Sequence, residues 1–145
     1  MQDDLIKAAR AAAANAHAPY SGFGVGAALL LSDGSIVTGC NFENASYGMT
    51  LCAETVAVAT LNAQGRLRDI RAVAVIGGVL QDGVISGDKP VTPCGRCRQI
   101  LSEAAQLADV DLPVHCASAD GLTVNTHLLS DLLPFPFGPK DLGLT

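Results

Sequence analysis

Apolar residues recur at helical spacing near the start of the chain, where Leu5, Ile6, Ala8, Ala9, Ala12, Ala13 and Ala16 form one stripe that Pro19 ends. The stripe predicts a first helix. Over residues 25–31 and 35–39 the pattern changes to short runs of β-formers, joined through Asp33-Gly34, a dipeptide suited to the positive φ of a tight hairpin turn. These predict an antiparallel pair. Residues 51–62 read as a helix closing near Gly65, residues 71–76 as a buried strand, and residues 94–107 as a helix with Pro93 just before its first turn. Residues 112–116 and 122–124 read as two more strands around Asp120-Gly121, followed by a leucine-rich turn and the tail Pro134-Phe135-Pro136-Phe137-Gly138-Pro139. The alternation predicts an α/β fold: a mixed sheet with helices on both faces.

Composition narrows this picture. A chain of 145 residues, 49% hydrophobic and 16% charged, is expected to fold as one domain over residues 1–145 with a substantial core. So few charges on so small a body also predict that other subunits cover part of the surface. The formal charge of −5, with nine scattered Lys and Arg residues, excludes the basic face that a nucleic-acid partner requires. A small-molecule substrate fits better. The run Ala11-Ala12-Ala13-Ala14 is too short and too weakly apolar for a signal segment or a membrane span, so a cytoplasmic location and no membrane partner are expected. Five cysteines, an odd number, suit a reducing compartment in which thiols serve metals or cores.

The chemistry concentrates in two motifs, Cys52-Ala53-Glu54 and Pro93-Cys94-Gly95-Arg96-Cys97. Together they offer three thiolates for a metal and one carboxylate outside the ligand set. A structural zinc is normally closed by four protein ligands, whereas three leave a position for water, so the layout is that of a catalytic zinc site. Each motif opens a predicted helix. Three thiolates with Zn²⁺ sum to one negative charge, which the positive amino ends of both helices offset, and the same ends are expected to lower the thiol pKa values. Cys94 and Cys97, three apart, share a helical face.

Other residues have plainer readings. Cys-x-x-Cys alone also fits a redox pair or half of a zinc knuckle. Cys40 and Cys116 fall in predicted strands and read as small buried hydrophobes, while His17, His115 and His127 belong to no ligand spacing. Gly22, Gly24 and Gly26 lack the lysine and helix start of a phosphate loop, which leaves close backbone packing.

With its two metal motifs so placed, the chain resembles the zinc-dependent nucleoside cytidine deaminases, the small homo-oligomeric kind. The likeness extends through Pro19-Tyr20-Ser21 with Phe23, Gly39-Cys40-Asn41-Phe42-Glu43-Asn44-Ala45-Ser46-Tyr47, Arg98-Gln99 after the second motif, and Leu132-Leu133-Pro134 with Phe137-Gly138-Pro139. It implies a three-layer α/β/α sandwich around a mixed five-stranded sheet, assembled as a homotetramer with one Zn²⁺ per subunit. It implies Cys52, Cys94 and Cys97 as ligands and Glu54 as the proton carrier in hydrolytic deamination of cytidine and deoxycytidine in pyrimidine salvage. Asn41 and Glu43 would then bond the ribose hydroxyls, and Phe23 would pack on the pyrimidine. Phe137 would reach a neighbouring subunit's site. The backbone of Ala53, Thr92 and Cys94 would line the base-binding space, with Ala45 and Tyr47 close to the sugar.

Two positions depart from the family pattern. Many members carry arginine directly after Cys-Ala-Glu, where this chain has Thr55, so the helix dipoles, with Arg96 or Arg98, are expected to carry more of the compensation. Thr92 stands where serine is usual. Two other readings remain open at this point: deamination of another cytosine-like nucleoside of the blasticidin type, and a zinc-stabilised module without turnover. Asn41 and Glu43 also fit a purely structural role in tying down a turn.

Overall fold

In the computed structural model, which describes residues 1–144, the elements run α1 (Gln2–Ala13), β1 (Phe23–Leu31), β2 (Ile36–Cys40), α2 (Ala53–Ala63), β3 (Ile70–Gln81), β4 (Val84–Ser86), α3 (Gly95–Ala108), β5 (Pro113–Ser118), β6 (Val124–Leu128) and α4 (Leu129–Leu132). Successive strand side chains point to opposite faces, and residue parity therefore sorts the core into two halves. Ala27, Leu29, Val73, Val75, Val114 and Cys116 meet Ala57 and Leu61 of α2 and Leu101 and Ala104 of α3. Ala28, Ala74, Ile76 and Ala117 meet Leu5, Ala9 and Ala13 of α1 on the other face. Each fully buried leucine, such as Leu61 or Leu101, contributes about 1.5–3 kcal/mol. The three-layer α/β/α architecture is thus the one expected.

The strand order is β2-β1-β3-β5-β6, with β4 paired to β3. Only β3 and β5 run parallel, joined by the crossover through α3, and the other pairs are antiparallel. The sheet has six strands rather than the five expected. The extra one arises because β3 continues past Gly77-Gly78 to Gln81 and folds back through Asp82-Gly83, both at positive φ (51° and 76°), into β4. Those glycines do not end the strand. They allow close approach: a Cβ on Gly78 would lie 2.3 Å from Ser86 O.

Further boundaries shift for local reasons. The last strand begins at Val124 rather than 122, since Asp120 Oδ1 accepts from Ser118 Oγ at 2.6 Å and Leu122 N at 3.0 Å, holding the turn open. The first helix stops at Ala13, and the chain beyond it is drawn to the β2 exit, where His17 N–H donates to Asn41 O and Glu43 N–H to His17 O.

Two glycines set how closely the helices lie on the sheet. A Cβ on Gly26 would fall 1.8 Å from Ala9 O, so α1 rests directly on β1. A Cβ on Gly39 would fall 2.6 Å from both Ala53 O and Ala57 N, so the first turn of α2 is pressed onto β2. That contact positions the Cys52-Ala53-Glu54 segment. Gly39→Ala should therefore destabilise the fold by ~1–3 kcal/mol through overpacking, read as a lower urea midpoint; an unchanged midpoint would show that α2 moves freely there. No helix among the described residues is long and apolar enough to cross a membrane.

Candidate active site

Cys52 and Cys94 hold the same place in two neighbouring helices. Each takes an extended backbone (φ −76°, ψ 157° and φ −65°, ψ 166°) and caps the first turn of α2 and α3 respectively, with Val56 N–H returning to Cys52 O and Arg98 N–H to Cys94 O, both at 3.0 Å. An N-cap is usually filled by a hydroxyl or carboxylate side chain. Here cysteine holds the position and makes no side-chain capping hydrogen bond, which leaves both sulfurs free for other partners. Cys52 Sγ and Cys94 Sγ are 3.7 Å apart, and with Cys97 Sγ all three sulfurs lie within 4.8 Å of one another. Four tetrahedral Zn–S bonds of about 2.3 Å would set sulfurs about 3.8 Å apart. The tripod fits a zinc ion.

The thiols are not uniformly primed for ionisation. Burial pushes the Cys52 and Cys97 thiols up, while partial burial of Cys94 is outweighed by the Cys97 backbone N–H and neighbouring sulfurs, which bring it down. The expected lowering by helix ends therefore holds for Cys94 alone. A bound cation would draw protons from the other two. Cys40 and Cys116 stand apart from the cluster, as do the three histidines.

Glu54 sits in the first turn of α2 and is 3% exposed. Burial raises its carboxyl pKa, partly offset by its own backbone N–H and by Cys97. A buried carboxyl whose pKa is raised is suited both to accept and to return a proton.

A pocket of about 230 Å³ opens beside the sulfurs. Its walls are Phe23 and Val25 from β1, Val75 from β3, and Asn41, Thr50, Leu51, Val91 and Thr92 from loops, with Cys52, Ala53, Glu54 and Cys94 at the helix ends. A recess of about 270 Å³ shares Thr50 with it and is lined by Tyr20, Ser21, Glu43 and Tyr47. The Tyr20 and Tyr47 rings pack tilted, 5.6 Å between centroids. Neither lining includes a lysine or arginine.

Asn41 is 9% exposed and spends one acceptor and one donor on β1, taking Val25 N–H at 2.8 Å and giving to Phe23 O at 2.9 Å. One donor and one acceptor remain for a ligand. Glu43 accepts from Tyr20 N at 3.0 Å, from Ser21 N at 3.2 Å and from Ser21 Oγ, and these bonds, with Ser21 Oγ foremost, hold its carboxyl below the usual range. Both side chains thus tie down the turn and border the site. Phe137 borders neither space; it is 62% exposed, and its carbonyl accepts from Gln99 Nε2 at 2.7 Å. Ala45 borders neither as well. Thr50, Leu51, Val75 and Val91 complete walls that sequence reasoning does not single out as site residues.

Residues 1–110 match the family model described as the cytidine and deoxycytidylate deaminase zinc-binding region. The chain is 42% identical over 139 residues to the cytidine deaminase of Halalkalibacterium halodurans, covering 96% of each. It is 45% identical over 135 residues to the cytidine deaminase of Mycobacterium tuberculosis, covering 90% of this chain and 85% of that one. Among solved structures it superposes on the cytidine deaminase from Burkholderia pseudomallei with a TM-score of 0.80 at 40% identity, covering 94% of this chain and 99% of that one.

Proposed function

Because the chain belongs to the cytidine and deoxycytidylate deaminase family, we infer that it is a zinc-dependent enzyme releasing ammonia from cytidine and deoxycytidine by hydrolysis, to give uridine and deoxyuridine in pyrimidine salvage. Buried Glu54, set beside an open three-sulfur cluster at the base of an apolar pocket, carries this reading. The described residues act as one catalytic domain in this reading.

Cys52, Cys94 and Cys97 would hold the zinc, which would supply Lewis acidity and, from water, a nucleophile near neutral pH. Glu54 takes a proton from the attacking water and places it on N3 of the cytosine ring. As the water oxygen bonds to C4, a hydroxyl is left there; Glu54 then moves that hydroxyl's proton to the amino group, so that the C4–N bond breaks, the C4 carbonyl forms and ammonia departs. Phe23 packs its face on the base, and the backbone of Ala53, Thr92 and Cys94 borders the reacting edge. Asn41, through its spare donor and acceptor, and Glu43, through its spare lone pairs, orient the ribose, with Ala45 and Tyr47 nearby.

The absence of cationic side chains from both linings, against two carboxylates, favours a neutral nucleoside over its phosphate. It equally disfavours a nucleic-acid partner. Exposed Phe42, Tyr47, Met49 and Phe137 support a homotetramer in which Phe137 closes a neighbour's pocket. The enzyme works in the cytoplasm.

Ammonia release from zinc-loaded protein given cytidine, deoxycytidine, free cytosine and cytidine monophosphate tests the assignment. The two nucleosides should exceed the others in kcat/KM by roughly 10²-fold or more, because the base lacks the sugar contacts and the phosphate meets no cation. Faster turnover of the monophosphate would overturn the nucleoside reading; no ammonia from any of them would favour the module without turnover.

A further inference from the structure

Two threonines of α2 use their hydroxyls differently. Thr60 Oγ1 donates to the carbonyl of Val56 at 2.8 Å, the return bond to the preceding turn that a helical threonine readily makes. Thr55 Oγ1 instead lies 3.4 Å from Cys97 Sγ, across the gap between α2 and α3. Cys97 is fully buried, so its sulfur, once ionised, depends on donors from the protein. Arginine does not provide them. Arg96 reaches Thr50 O at 3.4 Å, and Arg98 spends its guanidinium on Pro93 O and Leu132 O at 2.8 Å and on Thr92 Oγ1 at 3.3 Å. The compensation expected from these two side chains is therefore not made by direct contact with sulfur.

We propose that Thr55 is a positioning residue for the metal, its hydroxyl donating to the Cys97 thiolate and holding that sulfur in the geometry of a zinc ligand. This rests on the zinc reading above. An outer partner of a ligand carries part of the metal affinity, and its loss typically weakens binding by about 10–100-fold. Thr55 also borders the open groove between the two helices, beside Val58, Asn62, Gln99 and Glu103, so valine replaces it without crowding the core.

The test uses Thr55→Val, which keeps the shape, and Thr55→Ser, which keeps the hydroxyl. Zinc affinity is measured by competition with a chromophoric chelator, and the thiolate-to-metal absorption band by cobalt substitution. Thr55→Val should bind zinc about tenfold more weakly with a shifted cobalt band, whereas Thr55→Ser should match the unaltered chain in both. Equal affinity in Thr55→Val, or equal weakness in Thr55→Ser, would overturn the role of the hydroxyl. An unaltered chain that holds no zinc would overturn the zinc reading along with it.

Discussion

Glu54→Gln should lower kcat on cytidine by about 10³–10⁴-fold, the upper range for one general acid–base residue, because the proposed mechanism routes both proton transfers through Glu54. Glutamine keeps the shape and the hydrogen-bonding outline of the side chain but carries no transferable proton. Zinc content should remain at one per chain, since Glu54 is not among the three clustered sulfurs. Stability should not fall either. A neutral amide costs less to bury than a carboxylate, so the denaturant midpoint of the metal-free variant should be no lower than that of the unaltered chain. Kinetics, metal analysis and unfolding on the same preparation separate these effects. Turnover within tenfold of the unaltered enzyme would remove Glu54 from the proton path.

Cys97→Ala should act at the metal itself. Structural zinc sites closed by four protein ligands bind with apparent free energies of about 10–16 kcal/mol, and on that scale losing one thiolate removes roughly 3–4 kcal/mol, a weakening of more than about 10²-fold. Activity at limiting zinc should disappear. Because zinc binds the folded chain, an excess of 1,000 times its dissociation constant stabilises the fold by about 4 kcal/mol, which corresponds to a melting shift of roughly 10 °C in a domain of this size. A strong chelator should produce that drop in the unaltered chain and almost none in Cys97→Ala. Equal melting temperatures with and without chelator in the unaltered chain would contradict the coupling of metal to fold.

What could be read from the residues alone follows the range of the interactions. The pairing of Cys94 with Cys97 is local, one helical turn, and spacing suffices to see it. The meeting of Cys52 with Cys94 is not local: it needs α2 and α3 side by side on one sheet face, which Gly39 permits by letting backbone touch backbone. Gly77 and Gly78 resemble terminators in a linear reading and become strand interior only because Ser86 and Ala119 approach Gly78. Asp82-Gly83 is the same kind of turn signal as Asp33-Gly34, yet the three-residue β4 that follows is too short to show a period.

The site divides in the same way. Wall residues supplied by loops, such as Thr50 and Val91, belong to no periodic pattern and emerge only when the pocket is assembled. Asn41 and Glu43 show why the structural and functional readings of a turn need not compete. Each spends part of its bonding capacity on the chain and keeps the rest free. The fate of the arginines was hidden for a different reason: Arg98 lies one position beyond Cys97, yet its guanidinium turns toward Pro93 and Leu132, a choice set by the packing of α4.

X-ray absorption at the zinc edge of the fully loaded protein, with the metal counted per chain, is the most direct test. One zinc per chain surrounded by three sulfurs at about 2.3 Å and a single lighter atom is the predicted result. Four sulfurs, or no bound zinc in loaded material, would contradict the open tripod from which the chemistry has been derived.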